Sequence, residues 1–256
     1  MTPAQPILAS RLKADEAIVT AWSTLAVPIL AELFGRAGYA AVTLDMQHGL
    51  HDLASVREGV ASIALGGAHR IVRIPVGETA TASRLLDMGA EAVIAPMINS
   101  AADARAFAEA MKYPPLGARS WGPQRGAQLA GLSVPDYLVR ANDETLALAM
   151  IETPAAIAAL DEILAVPGID GVFVGPSDLS LTLSGGAKLD PGGEKTLAAA
   201  AEIATRARAA GKIAGIFCLE PETVGKAKAM GYRLMAYGGD MSLFLGAAQQ
   251  AVKAAG

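Results

Sequence analysis

The chain has 256 residues, 52% of them apolar and 18% charged, with a formal net charge of −4 and a pI near 5.4. That length and apolar share suit a large buried core and argue against disorder. The acidic balance offers no basic field to nucleic acid or to an anionic membrane surface, so neither is expected as a partner.

From the N-terminus onward, apolar segments at 17–22, 40–45, 69–74, 92–97, 146–151, 171–174, 213–217 and 233–237 have the length and β-branched content of buried strands. Between them, 52–65, 100–111, 154–166, 194–210 and 220–230 carry alanine and leucine at helical spacing with charges on the opposite side, and 240–255 closes the chain as an alanine-rich amphipathic helix. Thr153 before Pro154 places a hydroxyl at an N-cap, with proline in the first helical position. Gly38, Gly89, Gly168, Gly211 and Gly231 each fall just past a helical stretch and just before an apolar run, where a left-handed residue is wanted.

Strands alternating with helices, with no break in composition, predict an α/β fold, a (β/α)8 TIM barrel spanning 1–256 as one domain. A doubly wound open sheet would bring a glycine-rich phosphate loop after the first strand, but the residues after Trp22 read Ser-Thr-Leu-Ala-Val-Pro. Two stretches break the rhythm and read as long loops, lids or oligomer contacts: 113–130, rich in glycine, proline and arginine around Trp121, and the glycine-rich 184–193. The lone cysteine, Cys218, sits in an apolar run and reads as a small buried hydrophobe. The N-terminus lacks a basic stretch followed by an apolar segment and a small-residue cleavage site, and no apolar run has the length of a bilayer crossing, so a cytoplasmic location is expected by default.

In such a barrel the C-terminal ends of the strands are the working surface, and Asp45, His48, Arg73, Glu152 and Asp178 all fall there. A carboxylate at the mouth of a buried strand is costly to desolvate without a positive partner, and two that face each other repel unless a cation bridges them. Glu152 and Asp178 are therefore candidate ligands for a divalent cation such as magnesium, manganese or cobalt, with helix capping as their alternative role. His48, followed by Gly49, sits in a tight loop, and its spacing from Asp45 permits a hydrogen bond that would orient the ring and raise its basicity. Asp87 lies near a helix end, unfavourable for an anion against the dipole, so a partner elsewhere is expected. Gly175-Pro176-Ser177-Asp178 either presents free N–H groups to a substrate carboxylate or is a plain turn. His51 reads as a first-turn helix residue, His69 stands apart, and nothing suits zinc.

These residues bring the chain to resemble the metal-dependent (class II) pyruvate aldolases of the hydroxyketoacid aldolase (HpcH/HpaI) type, relatives of 4-hydroxy-2-oxoheptanedioate aldolase and 2-dehydro-3-deoxyglucarate aldolase. The resemblance spans nearly the whole chain. It is carried by Leu44-Asp45-Met46-Gln47-His48-Gly49, Val72-Arg73, Leu85-Leu86-Asp87-Met88-Gly89, Ala95-Pro96-Met97, Gly117-Ala118-Arg119-Ser120, Ile151-Glu152-Thr153 and Val174-Gly175-Pro176-Ser177-Asp178-Leu179-Ser180. It implies a phosphoenolpyruvate/pyruvate-type barrel in which Glu152 and Asp178 hold the metal, His48 is the base assisted by Asp45 or Asp87, and Arg73 stabilises an enolate. Gln47, Arg73 and residues 175–178 would contact a pyruvate-like keto acid, hydroxypyruvate included, released with an aldehyde from a 4-hydroxy-2-oxo acid. Arg125, in the 121–126 stretch, would meet an acidic aldehyde tail or a neighbouring subunit. It also implies a homohexamer, a trimer of dimers that exchanges the C-terminal helix. One departure is Met150, where some members carry a substrate-contacting glutamine.

Three rivals are a Schiff-base aldolase, a citramalyl- or malyl-coenzyme A lyase, and a non-catalytic keto-acid-binding barrel. The first needs a desolvated lysine at a strand end, and Lys13, Lys112, Lys188, Lys195, Lys212, Lys226, Lys228 and Lys253 all fall in helices or loops. The second would want a longer chain and a nucleotide site. The third would be suggested by loss of a metal ligand, and both are present.

Overall fold

Eight parallel strands pair in chain order and close on themselves in the computed structural model of the protein, which describes residues 7–256. They are β1 (Ile18–Ser23), β2 (Ala41–Asp45), β3 (His69–Arg73), β4 (Ala92–Ala95), β5 (Leu146–Ile151), β6 (Gly171–Val174), β7 (Ile213–Phe217) and β8 (Leu234–Gly239). β8 returns to β1 with Ile18 opposite Leu234 and a register shift between Thr20 and Trp22. This is the expected (β/α)8 TIM barrel. β4 ends earlier than the sequence suggested because Met97 takes a left-handed φ of 56°, which turns the chain out of the sheet.

The first helices are α1 (Leu8–Lys13), α2 (Pro28–Arg36), α3 (Leu53–Leu65), α4 (Thr79–Met88) and α5 (Ala101–Met111). Then come α6 (Gln124–Leu129), α7 (Val134–Glu144), α8 (Pro154–Ala158), α9 (Leu160–Leu164), α10 (Pro176–Leu183), α11 (Glu194–Ala209), α12 (Pro221–Met230) and α13 (Asp240–Ala255). The five glycines expected in left-handed conformation have φ of 103°, 109°, 89°, 69° and 104° in chain order. The Thr153 hydroxyl accepts from the Ala156 N–H, as its place before Pro154 required. Two further expectations need correction. The 113–130 stretch is not all loop, because α6 forms inside it and packs on α4. The helical stretch 154–166 divides into α8 and α9 at Ala159.

Strand alternation sorts the side chains into two shells. The outward set packs under the helices, and the inward set, including Ile18, Ile71, Leu148, Phe173 and Leu234, fills the barrel together with Leu8, Ala9 and Leu12 of α1. Gly215 makes room for Phe173, since a Cβ there would stand 2.6 Å from the ring. Toward the C-terminal end, Trp22 stacks on Phe173 at 6.1 Å and meets Phe217 edge-on at 5.2 Å. This aromatic layer floors the mouth. No helix among the described residues is long and apolar enough to cross a membrane.

Candidate active site

Asp45 and Arg73 end their strands directly opposite one another. Their side chains meet as a two-pronged ion pair, Arg73 Nε donating to Asp45 Oδ1 at 2.8 Å and Nη2 to Oδ2 at 2.7 Å. The guanidinium lies 4.9 Å over the Trp22 ring, whose indole N–H donates to Asp45 Oδ2 at 3.2 Å. Burial alone would push the Asp45 carboxyl up, but the bonds and charge of Arg73, helped by Gln47 N–H and Trp22, hold it below the usual carboxylate range.

The loop after β2 is fixed through its main chain. Asp45 Oδ1 accepts from the N–H of Gln47 at 3.0 Å and of His48 at 3.4 Å, and Met46 N–H donates to the Arg73 carbonyl. The expected Asp45 bond to the His48 ring is therefore replaced by one to its main chain, because both oxygens are taken by Arg73, Trp22 and loop N–H groups. The His48 side chain is exposed at the rim. Gln47 is half-buried, and its amide oxygen has no hydrogen-bond partner among the described residues.

Glu152 follows β5 and is 1% exposed. Its Oε2 accepts from Met97 N–H at 3.0 Å, which is the use made of the left-handed backbone at Met97. Its Oε1 fills the space over Gly175, where a Cβ would come within 2.3 Å, and Met150 closes the same gap. Asp178 stands in the first turn of α10, and one helical turn on, Thr182 donates its hydroxyl to the Glu152 carbonyl at 2.7 Å. Burial raises the Glu152 carboxyl to about 7, against the Met97 N–H that favours its charge; the Asp178 charge raises it further and Arg73 lowers it. A buried carboxylate lifted by a second one beside it suits a divalent cation, which would remove both penalties. Among the described residues no group of three or more His, Cys, Asp or Glu is placed to hold a metal, so the donor set here is a pair.

Not every expected residue comes to this mouth. Asp87 lies in the last turn of α4, on the side where β4 begins, and its Oδ1 accepts from Arg119 Nη2 at 2.7 Å. Arg119 is the partner its position called for; burial raises the Asp87 carboxyl, with Arg119 opposing. Within one chain Asp87 does not join His48. Arg125 is exposed on α6 and bonded to Gln128, so it too stands apart from the mouth. His51 precedes the Asp52 N-cap of α3 rather than sitting in its first turn, and it is buried. Lys112 is buried, but its amine donates to the carbonyls of Asn142 and Thr145 and to Asp170 at 2.6–2.7 Å, near the starts of β5 and β6. It is a structural cation away from the mouth.

Sequence reasoning assigned no role to Trp22, Met97 or Asp240. The indole and the strained N–H have no local motif; Asp240 had a signal, an acidic residue opening a helix after Gly238-Gly239.

A model of the HpcH/HpaI aldolase/citrate lyase family matches residues 19–247. A hydroxypyruvate/pyruvate aldolase of Rhizorhabdus wittichii is 40% identical over 231 residues, 90% of this chain and 91% of the relative. Another of that name, from Roseovarius nubinhibens, is 36% identical over 242 residues, 94% and 93% of the two chains. The crystal structure of an HpcH/HpaI aldolase from Desulfitobacterium hafniense superposes with a TM-score of 0.88 at 27% identity, covering 98% of this chain and 96% of that one.

Proposed function

The chain belongs to the HpcH/HpaI aldolase/citrate lyase family and is a carbon–carbon lyase of the aldolase kind, and from that premise we propose that it reversibly cleaves 4-hydroxy-2-oxo acids to a pyruvate-like keto acid and an aldehyde with the help of a divalent cation. The observation that carries this reading is the pair of carboxylates at the mouth, Glu152 after β5, 1% exposed and held by the Met97 N–H at 3.0 Å, and Asp178 in the first turn of α10. Glu152 and Asp178 would hold magnesium, manganese or cobalt, leaving the other positions to water and substrate oxygens. When bound, the cation supplies Lewis-acid stabilisation of charge building on the keto acid oxygens.

The chain's own residues supply the rest. Arg73 has two N–H prongs committed to Asp45, and its remaining donors are offered to the 2-oxo oxygen, where charge appears only as the carbon–carbon bond breaks. His48 takes the proton of the 4-hydroxyl; the C3–C4 electrons pass to the keto acid as the aldehyde leaves, and His48 returns the proton to C3. The free N–H groups in the first turn of α10, at Ser177 and Asp178, hold the substrate carboxylate above Gly175 and Pro176. Gln47 offers its unpartnered amide oxygen to a substrate hydroxyl. The relatives' name covers hydroxypyruvate and pyruvate alike, and both are keto acids to test here.

Asp87 and Arg125, remote from the mouth of their own barrel, would assist only at a neighbouring subunit's site, consistent with a homohexamer built as a trimer of dimers. Exposed Met241, Leu243, Phe244 and Leu245 on α13 supply an apolar surface for such contacts. A cytoplasmic setting fits a small-molecule enzyme of this kind.

The decisive measurement is release of pyruvate or hydroxypyruvate from the matching 4-hydroxy-2-oxo acid before and after EDTA. We expect chelation to abolish it and manganese, cobalt or magnesium to restore it. Full activity in chelator would remove the metal from the reading.

A further inference from the structure

We propose that Asp240 is a positioning residue for His48, acting through Thr24, whose N–H and hydroxyl both donate to its carboxylate; this rests on the reading of His48 as the base. Asp240 opens α13 and is 5% exposed. Its carboxylate accepts from Thr24 N–H at 2.9 and 3.0 Å, Thr24 Oγ1 at 2.6 Å, Leu25 N–H at 2.8 Å and Ser23 Oγ at 3.1 Å, as well as from Met241 N–H of its own helix at 2.8 Å. A helix-opening carboxylate satisfies its helix with the last of these alone. The others gather the turn that leaves β1.

That turn is the seat of the His48 loop. The Thr24 carbonyl accepts from Leu50 N–H at 2.7 Å. Gly49 lies so close that a Cβ there would stand 3.1 Å from Thr24 Cα and 2.2 Å from the Asp45 carbonyl. His51, the next residue but one, is 6% exposed and places Nε2 3.0 Å from Ser23 Oγ and Nδ1 3.3 Å from Ser55 Oγ. The Ser23 hydroxyl donates to Asp240, so it accepts from His51 Nε2–H. This order excludes a nucleophilic triad, in which the imidazole would take the serine proton. Asp45 thus pins the loop where it leaves β2, while Thr24 and His51 pin its far end, and both far anchors lead to the Asp240 carboxylate.

Charge-assisted bonds of this kind are about twice as strong as neutral ones. Misplacing a reacting group by roughly 1 Å costs on the order of 100-fold in rate. Asp240 therefore governs where the loop carries His48, without touching substrate.

The test uses the full-length, manganese-loaded protein and follows solvent exchange of the pyruvate methyl protons by NMR, beside the KM for pyruvate, manganese affinity and the thermal midpoint. D240N should lower the exchange kcat about 10- to 100-fold, with KM and manganese affinity within about twofold of wild type. T24V should move kcat in the same direction by less, and T24S should restore it. In an H48A background D240N should change the residual rate by less than about twofold, since a residue acting through His48 has nothing left to position. Wild-type exchange in a folded D240N, equal loss of kcat, pyruvate binding and manganese affinity, or an additive D240N effect on H48A would each overturn the proposal. Should D240N not fold, the T24V and T24S pair decides it. Wild-type exchange in H48A would instead overturn the base assignment, and this proposal with it.

Discussion

At the residue scale the mouth holds two buried carboxyls of opposite tendency. Asp45 is held below its usual range by Arg73 against its own burial, so its pairing stabilises the fold above the unfolded carboxylate range and is lost as pH falls through the folded value. Arg73→Ala strands that carboxylate and should cost about 3–5 kcal/mol in urea unfolding, whereas Arg73→Lys keeps the charge, loses the fork and should lower turnover about 100-fold. A lysine variant with wild-type turnover would remove the guanidinium from the chemistry. Glu152 has the reverse sign. Its folded value is raised from 4.5 to about 7, so the folded chain holds a proton that the unfolded chain has released across that window. Metal-free protein should lose stability as pH rises from 4.5 to about 7 and level off above it. Manganese, or the Glu152→Gln variant, should flatten that slope in a chelator-controlled thermal melt, and a flat metal-free profile would contradict the raised value. These acidic residues were legible because a carboxylate ending an apolar run must find a partner. Asp87 advertised that need through the helix dipole, but the sequence could not name Arg119, 32 positions away. The left-handed backbone of Met97 was invisible, since that conformation in a non-glycine residue is dictated by its surroundings.

At the element scale, the sequence leaves the turn from β6 into α10 open between an anion-facing helix start and a plain turn, and the structure adds a steric reason for its glycine. Gly175 has an ordinary φ of −96°, so its backbone does not require glycine; the Glu152 carboxylate does. Gly175→Ala should leave the strand and helix intact, push Glu152 off the Met97 N–H and weaken manganese binding about 10- to 100-fold, with a loss of about 1–3 kcal/mol in stability. Manganese titration together with a denaturant curve checks both, and unchanged affinity would mean that Glu152 is not held by this gap. The strands were legible because both of their faces are buried, which turns alternation into continuous apolar runs. α6 was hidden for the opposite reason: Pro114, Pro115, Gly117, Gly122 and Pro123 dominate its surroundings, while its own fit comes from Gly126 lying against the Leu86 carbonyl. That is a contact between distant segments, which no local pattern reports.

At the scale of the whole molecule, the barrel followed from counting alternating strands and helices, whereas assembly leaves only an indirect trace in one chain. α13 is tied to the rest of its own chain at its beginning, through Asp240, and packs against the ends of β1 and β8. Beyond that anchor Met241, Leu243, Phe244, Leu245 and Val252 are 46%, 44%, 68%, 52% and 74% exposed. Apolar side chains repeated along one helix lose their transfer free energy in water, on the order of 25 cal/mol for each Å2 left uncovered, and a neighbouring copy is the partner that the proposed hexamer provides. Phe244→Glu places a charge in the middle of that surface and should lower the mass seen by light scattering at micromolar concentration, while the circular dichroism of the barrel stays unchanged. If Asp87 and Arg125 serve a neighbour's mouth, turnover should fall with the mass and recover in part at high protein concentration, where mass action restores the assembly. A variant that dissociates yet keeps full turnover would confine every working residue to one barrel, and a variant that keeps its mass would leave α13 outside the interface.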